Sequence, residues 1–116
     1  MAQESKNLSE SIQNCLKCHF ICLETINYCL QQGGKYANAD RIQLLMDCAH
    51  ICQISADFMI RNSSMHVYTC EACAEICRNC TIECADMSDE ELDQCAEACR
   101  DCAASCRKMV QTVKFH

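Results

Sequence analysis

Sulfur-containing and apolar residues recur along the chain at steps of three, four and seven residues, with charged and amide residues between them. This spacing places the sulfur-containing and apolar side chains on one face of an α-helix, whereas a β-strand would place every second residue on one face. The pattern predicts four helices, over residues 9–32, 40–61, 64–86 and 89–113. The chain is therefore expected to be all-α.

Residues that favour helix ends stand at the boundaries of these segments. Gly33 and Gly34 follow the first helix, where glycine is a preferred C-cap. Ser63 or Ser64 is the predicted N-cap of the third helix, and Ser88 opens a predicted capping box for the fourth. Only a few residues join helices two, three and four, and such short connections force antiparallel neighbours. We expect a single domain of 116 residues that folds as an antiparallel up-down-up-down four-helix bundle.

Each predicted helix carries one seam of positions spaced for contact with other helices, and most of these positions hold sulfur. The seam of the third helix is His66, Cys70, Cys73, Cys77, Cys80, Cys84 and Met87, and that of the fourth is Leu92, Cys95, Cys99, Cys102, Cys106, Met109 and Val113. The first helix contributes Cys15, Cys18, Cys22 and Cys29, and the second contributes Leu45, Cys48, Cys52, Ser55 and Met59. Because the opposite faces of helices three and four are mostly charged, the seams should face inward and line the core with thiols.

The first two helices also carry a second apolar stripe beside the thiols. It consists of Ile12, Leu16, Leu23, Ile26 and Leu30 in the first helix, and of Leu44, Ile51, Ile54 and Phe58 in the second. Two interpretations are open, because such a stripe either packs between neighbouring helices or forms an oligomer interface.

Composition and charge narrow the class of protein. The chain has 15 cysteines, two glycines and no proline, which leaves too few turn residues for an all-β fold. A net charge of −6, from 10 basic and 16 acidic residues, argues against nucleic acid and against anionic membranes as partners. The first residues lack the apolar core of a signal peptide, and no run is long enough to span a membrane. These features favour the cytosol, where thiols stay reduced.

A core of thiols favours metal binding over the other uses of cysteine. As small hydrophobes alone, the cysteines would leave helices three and four with few large core side chains. Zinc and iron–sulfur sites take four convergent ligands, whereas the seams form a continuous ladder. Cu(I) is soft, binds two or three thiolates and tolerates bridging sulfurs, so the ladder favours many Cu(I) ions.

Other functions stay open on the residues alone. Paired Cys-x3-Cys helices stapled by disulfides would make a structural or adaptor bundle, although five seam cysteines on one helix exceed what a hairpin needs. A zinc or iron–sulfur bundle is a further alternative. A dinuclear bundle enzyme is disfavoured, because such enzymes need inward Glu-x-x-His pairs and the sequence has none.

The repeated Cys-x3-Cys pairs and the cysteine ladder from Cys70 to Cys84 resemble those of the bacterial copper storage proteins, which are cysteine-rich four-helix bundles. The resemblance covers residues 15–109 and is greatest to the cytosolic branch. It implies a Cu(I) store without enzymatic activity, a homotetramer, and a metal-ligand role for all fifteen seam cysteines. The second helix is the weakest match, because it supplies only Cys48 and Cys52.

Soft ligands are also expected at one end of the bundle. Antiparallel topology brings Met59, His66 and Met109 together there, and they are predicted copper ligands at the mouth through which copper enters. The resemblance implies the same, since histidines lie at the open end in that family. Additional candidate ligands are His19, Met87 and the terminal His116, whereas His50 is expected on the surface or in an interface.

Overall fold

The computed structural model describes the backbone of residues 2–114 and the side chains of residues 3–111. Four helices, which we call α1 to α4, account for most of this range: Ala2–Gln32, Ala39–Ile60, His66–Ala85 and Glu90–Lys114. A short 3-10 helix, Gly34–Ala37, joins α1 to α2. The predicted all-α fold is confirmed, and the part of the chain described here contains no strand.

The first helix begins earlier than predicted, at Ala2 rather than at residue 9. Its first turns hold mostly exposed polar residues, so they carry no apolar period that a sequence pattern could reveal. A side-chain hydrogen bond from Gln3 Nε2 to Asn7 Oδ1, at 3.1 Å, connects successive turns of this segment.

The predicted serine caps of α3 and α4 are wrong. Asp89 caps α4, since its Oδ1 accepts the Leu92 amide at 3.1 Å, while Ser88 adopts a left-handed turn with a φ of 51°. No side chain caps α3, which begins at His66; the Ser63 hydroxyl instead accepts the Met65 amide at 3.2 Å. In both cases serine supplies the turn before the helix rather than its cap.

The four helices pack side by side in a closed ring, in which α1 contacts α2 and α4, and α3 contacts α2 and α4. The bundle is a rod of 48 × 20 × 18 Å. Its core consists mainly of cysteine and alanine, with Leu45, Met59 and Leu92 as its largest fully buried side chains. The short connections therefore produce the expected antiparallel neighbours.

The second apolar stripe is only partly covered. Ile12, Ile26, Leu44 and Ile51 are half-buried and pack against the core. Leu16, Leu23, Leu30 and Ile54 keep between 40% and 55% of their surface exposed. The stripe therefore packs between neighbouring helices in part, and the rest of it leaves an apolar surface on α1 and α2. Within residues 2–114, every helix is too short or too polar to cross a lipid bilayer.

Candidate metal centre

All fifteen cysteines lie in the core, and none of their surface is exposed. Each thiol is free rather than in a disulfide. The inward orientation expected from the heptad spacing is therefore observed on every helix. Steps of three or four residues along the helices also stack the cysteines into layers, about 4.5 to 6 Å apart along the axis at 1.5 Å per residue.

Two central layers each take one thiol from every helix. The first consists of Cys15, Cys52, Cys73 and Cys102, with Sγ–Sγ distances of 3.6 to 4.0 Å. The second consists of Cys18, Cys48, Cys77 and Cys99, with neighbouring sulfurs 3.5 to 3.8 Å apart. Two sulfurs about 2.3 Å from one metal ion lie about 3.8 Å apart in a tetrahedral site and about 4.6 Å apart in a linear one, so both layers already have the spacing of shared metal ligands.

The layers are joined to each other by equally short contacts. Cys52 lies 3.6 Å from Cys77 in the next layer, and Cys73 lies 3.8 Å from Cys77. Four groups of four thiols have all their sulfurs within 4.8 Å: Cys15/Cys73/Cys102/Cys106, Cys52/Cys73/Cys77/Cys102, Cys18/Cys48/Cys52/Cys77 and Cys18/Cys22/Cys48/Cys99. Groups of four thus exist, but each shares two thiols with the next, so the core is one continuous column rather than a set of separate tetrahedral sites.

The thiols thin out towards the end where α3 ends and α4 begins. Cys22 lies 3.9 Å from Cys95, and Cys84 interacts with both Cys80 and Cys95. Cys29 is the outermost thiol, and burial raises its pKa, although the nearby Arg41 guanidinium opposes this. The column therefore contains a dense centre and a sparser end.

Hydrogen bonding between sulfurs decides where protons reside in the copper-free core. Hydrogen bonds from Cys102 and Cys106 lower the pKa of Cys15 to about 6. Cys22 has a raised pKa because it hydrogen-bonds Cys18 and other thiols and is buried. The pKa of Cys84 is raised by its hydrogen bonds with Cys80 and Cys95 and by burial. Thiols such as Cys22 and Cys84 stay protonated at neutral pH, which avoids packing many negative charges in a low dielectric.

The other end of the thiol column carries Met59, His66 and Met109 at the next seam positions of α2, α3 and α4. We call it the methionine end. Met59 is 1% exposed, and its Sδ lies 3.7 Å from Cys70 Sγ. The Nδ1 atom of His66 hydrogen-bonds the Ser63 carbonyl at 2.8 Å, so it carries the proton and leaves the lone pair on Nε2. His66 Nε2 is buried and has no hydrogen-bond partner within the described residues. An orphaned imidazole nitrogen one helical turn before the buried thiol of Cys70 suits a soft metal ligand.

The additional candidate residues lie in different places. His19 is half-buried between α1 and α2, where its Nδ1 hydrogen-bonds the Ala49 carbonyl at 2.7 Å. Met87 is half-buried and packs against the core just after α3. His50 is exposed on α2, as expected. The terminal His116 lies outside the described residues.

Hydrogen-bonded oxygen and nitrogen groups, which the sequence analysis did not single out, occupy the end opposite Met59. Asp89 accepts hydrogen bonds from Tyr28 at 2.8 Å and Tyr36 at 3.0 Å, and the bond to Asp89 raises the pKa of Tyr28 to about 12. Arg41 is 6% exposed and forms an ion pair with Glu83 at 3.2 Å. We call this the tyrosine end. Its hard oxygen and nitrogen groups suit Cu(I) poorly, unlike the sulfur ligands of the opposite end.

A column of buried thiols inside a four-helix bundle is a specific combination of site and fold. The profile of the copper storage protein family (Csp) matches residues 4–111. The chain belongs to this family. No curated protein sequence is a significant match. The copper storage fold is nevertheless well represented among solved structures that resemble this one.

A protein of Nitrosospira multiformis is 39% identical, with a TM-score of 0.89, over 93% of this chain and 98% of that one. The Cu(I)-bound copper storage protein BsCsp3 is 30% identical, with a TM-score of 0.85, over 90% of this chain and 98% of that one. The copper-free Csp3 of Bacillus subtilis matches as well. A cytosolic copper storage protein of Streptomyces lividans, loaded with five coppers, is 27% identical, with a TM-score of 0.88, over 96% and 98% of the two chains.

Proposed function

We propose that this protein is a high-capacity cytosolic store that sequesters many Cu(I) ions among the thiolates of its core. The observation that carries the proposal is the continuous column, in which groups of four thiols overlap by two. Cu(I) accepts two or three thiolates and tolerates bridging sulfur, so a shared column holds more ions than separate sites of four would. The Cu(I)-bound BsCsp3 supports the same function, and the copper-loaded cytosolic protein of Streptomyces lividans supports both the function and the compartment.

All fifteen cysteines are the proposed ligands. Each ion of charge +1 replaces a thiol proton, so the core stays close to neutral as it fills, and affinity rises with pH. The protein acts by binding and releasing ions, and we assign it no catalytic role. The disulfide-stapled alternative is not favoured, because every thiol is free and each central thiol has several neighbours rather than one partner.

The methionine end is the proposed mouth of the store. Met59 contacts Cys70, and the buried Nε2 of His66 lies one helical turn before it. Neutral thioether and imidazole ligands bind an ion more weakly than thiolates do. They can therefore pass copper inward without trapping it. Met109 completes this set, while His19, Met87 and His116 are secondary candidates.

A triple variant, Met59→Leu/His66→Leu/Met109→Leu, tests the mouth. It should slow copper uptake while leaving most of the final capacity, because the thiol column is untouched. Met46→Leu, at an exposed position on α2, is the matched control and should load at the normal rate. Uptake by the triple variant at the rate of the control would show that copper enters elsewhere.

A homotetramer is the proposed assembly. The uncovered apolar side chains of α1 and α2, among them Leu16 and Leu23, support an interface there, because a monomer rarely leaves such a surface in water. The proposed partners are thus copper ions and further copies of the chain, with neither nucleic acid nor membrane involved.

An anaerobic titration of the reduced protein tests storage itself. Cu(I) is added in the presence of a coloured Cu(I) chelator, and the colour reports when the protein is full. We expect a capacity on the order of one ion per cysteine, since bridging lets each thiolate serve more than one ion. Saturation at one or two ions, or equal competition from zinc, would contradict the proposal.

A further inference from the structure

Two hydroxyls interrupt the thiol column on its way to the methionine end. Ser11 of α1 lies four residues before Cys15, and Ser55 of α2 lies three residues after Cys52, so both continue their seams. Both serines are fully buried. Together with Cys70 of α3 and Cys106 of α4 they form one layer, which we call the serine layer.

Contacts place the serine layer between the mouth and the central thiols. Ser55 Oγ lies 3.3 Å from Cys70 Sγ, and Ser11 Oγ lies 3.7 Å from Cys106 Sγ. On the outer side, Cys70 contacts Met59 at 3.7 Å. On the inner side, Cys106 contacts Cys15 at 3.6 Å. Copper that moves between the mouth and the central layers therefore passes this layer.

The serine layer offers an ion fewer thiolates than the layers beneath it. Within the layer only Cys70 and Cys106 supply them, aided by the thioether of Met59, and Cys106 is also shared with the four-thiol group Cys15/Cys73/Cys102/Cys106 beneath it. In the central layers a single thiol such as Cys52 has three sulfur neighbours, at 3.6 to 3.8 Å. A serine hydroxyl is a hard, neutral group and adds little to the binding of a soft cation.

We propose that the serine layer is the exchange site of the store, which fills last and surrenders its copper first. This inference rests on the proposed cysteine ligands and adds a function for Ser11 and Ser55, which keep the site weak. The recipient would be a Cu(I) acceptor with soft ligands. Copper stays Cu(I) throughout: its bonds to Cys70 and Cys106 break, bonds to the acceptor form, and the freed thiolates take up protons.

Stopped-flow release to excess bicinchoninate, starting from the fully loaded protein, tests the proposal. We expect two phases in the wild type, a fast phase on the order of one ion per chain and a slow phase for the rest. Ser11→Cys/Ser55→Cys completes the layer with thiols and should slow the fast phase about tenfold, or about 1.4 kcal/mol in the barrier. The present contacts of 3.3 and 3.7 Å leave space close to that between core sulfurs.

Matched controls distinguish an effect of thiols in the serine layer from the effect of adding a thiol elsewhere or of removing the two hydroxyls. Thr25→Cys adds a buried thiol towards the tyrosine end, where the Thr25 hydroxyl bonds the Ile21 carbonyl, and should leave the fast phase unchanged. Ser11→Ala/Ser55→Ala should also keep the fast phase, because it adds no thiolate. Loss of that phase in the alanine variant would show that the hydroxyls themselves bind copper, which overturns the proposal.

A second pair of variants decides the question even if the double cysteine variant fails to fold. Cys70→Ala should abolish the fast phase, whereas Cys22→Ala should reduce only the slow one. A fast phase that persists in Cys70→Ala, or single-phase release by the wild type, would overturn the exchange site. A total capacity of one or two ions would instead contradict storage itself, so the two failures are distinguishable.

Discussion

Raising the pH above the ordinary thiol pKa of 9.0 should destabilise the copper-free protein. Cys22 and Cys84 have raised pKa values in the folded state, so the unfolded chain ionises at these thiols while the folded one keeps its protons. The unfolded state then binds fewer protons, and the free energy of unfolding falls as pH rises. Between about pH 9 and pH 10 each of these thiols lowers the free energy of unfolding by about 1 kcal/mol, so the two together lower it by about 2 kcal/mol. That is a large part of a typical stability of about 5–15 kcal/mol.

Cys15 changes the free energy of unfolding in the opposite direction, but over a different range of pH. Its pKa is lowered to about 6, so the stability that it contributes grows between pH 6 and the ordinary value of 9.0 and is constant above it. It therefore does not offset the fall at higher pH. In the loaded protein copper replaces the thiol protons, so this loss should be absent.

Urea unfolding of the reduced protein under nitrogen, followed by circular dichroism at pH 8, 9 and 10, measures the effect. The copper-free midpoint should fall from pH 9 to pH 10, and the loaded one should not. Tyr28→Phe/Tyr36→Phe removes the contributions of the two tyrosines whose pKa values are also raised by their bonds to Asp89, that of Tyr28 to about 12, so that the remaining fall reports on the thiols. A copper-free midpoint that stays constant or rises between pH 9 and pH 10 would refute the reasoning.

Three further outcomes are expected. Leu45→Ala, at a fully buried position, should cost about 2–5 kcal/mol in urea unfolding without changing copper capacity; a loss under 1 kcal/mol would contradict the packing. In a Tyr28→Phe/Tyr36→Phe background, where the two tyrosine bonds to Asp89 are absent, Asp89→Ala should lower the melting temperature through the lost cap, worth about 1 kcal/mol, and Ser88→Ala should not; equal effects would argue against the assigned cap. Leu16→Glu/Leu23→Glu should yield monomers in light scattering, and an unchanged assembly would exclude the α1/α2 interface.

The amino-acid sequence predicts the helices and the inward seams well because heptad spacing is a local property. Steps of three and four residues fix which face of a helix a cysteine occupies, whatever the rest of the chain does. All fifteen cysteines were accordingly placed in the core correctly. The family resemblance rests on the same spacing.

The layers could not be predicted in the same way, because they depend on how far each helix is shifted along its neighbours. That shift is set by loop geometry and packing, and it places Cys52 beside Cys73 and Cys102. Hence the prediction of a ladder without groups of four was incomplete, since the structure contains four-thiol groups that overlap. Ser11 was also missed, although its step of four before Cys15 was readable.

Hydrogen bonds between distant segments explain the remaining differences. Asp89 both caps α4 and binds Tyr28 and Tyr36, so its position reflects contacts with α1 and the 3-10 helix as well as a local preference. Local capping preference favoured Ser88 because it cannot include such partners. Arg41 carries no local signal in the sequence, and its ion pair with Glu83 holds it at the tyrosine end.

Anomalous diffraction at the copper edge, from crystals of the fully Cu(I)-loaded protein, tests the central claim most directly. We expect many anomalous peaks inside the bundle, each within about 2.5 Å of two or three sulfurs, with the densest set around Cys18, Cys48, Cys52 and Cys77. Peaks confined to the surface, or one or two isolated peaks with four sulfur ligands each, would contradict a shared thiolate store.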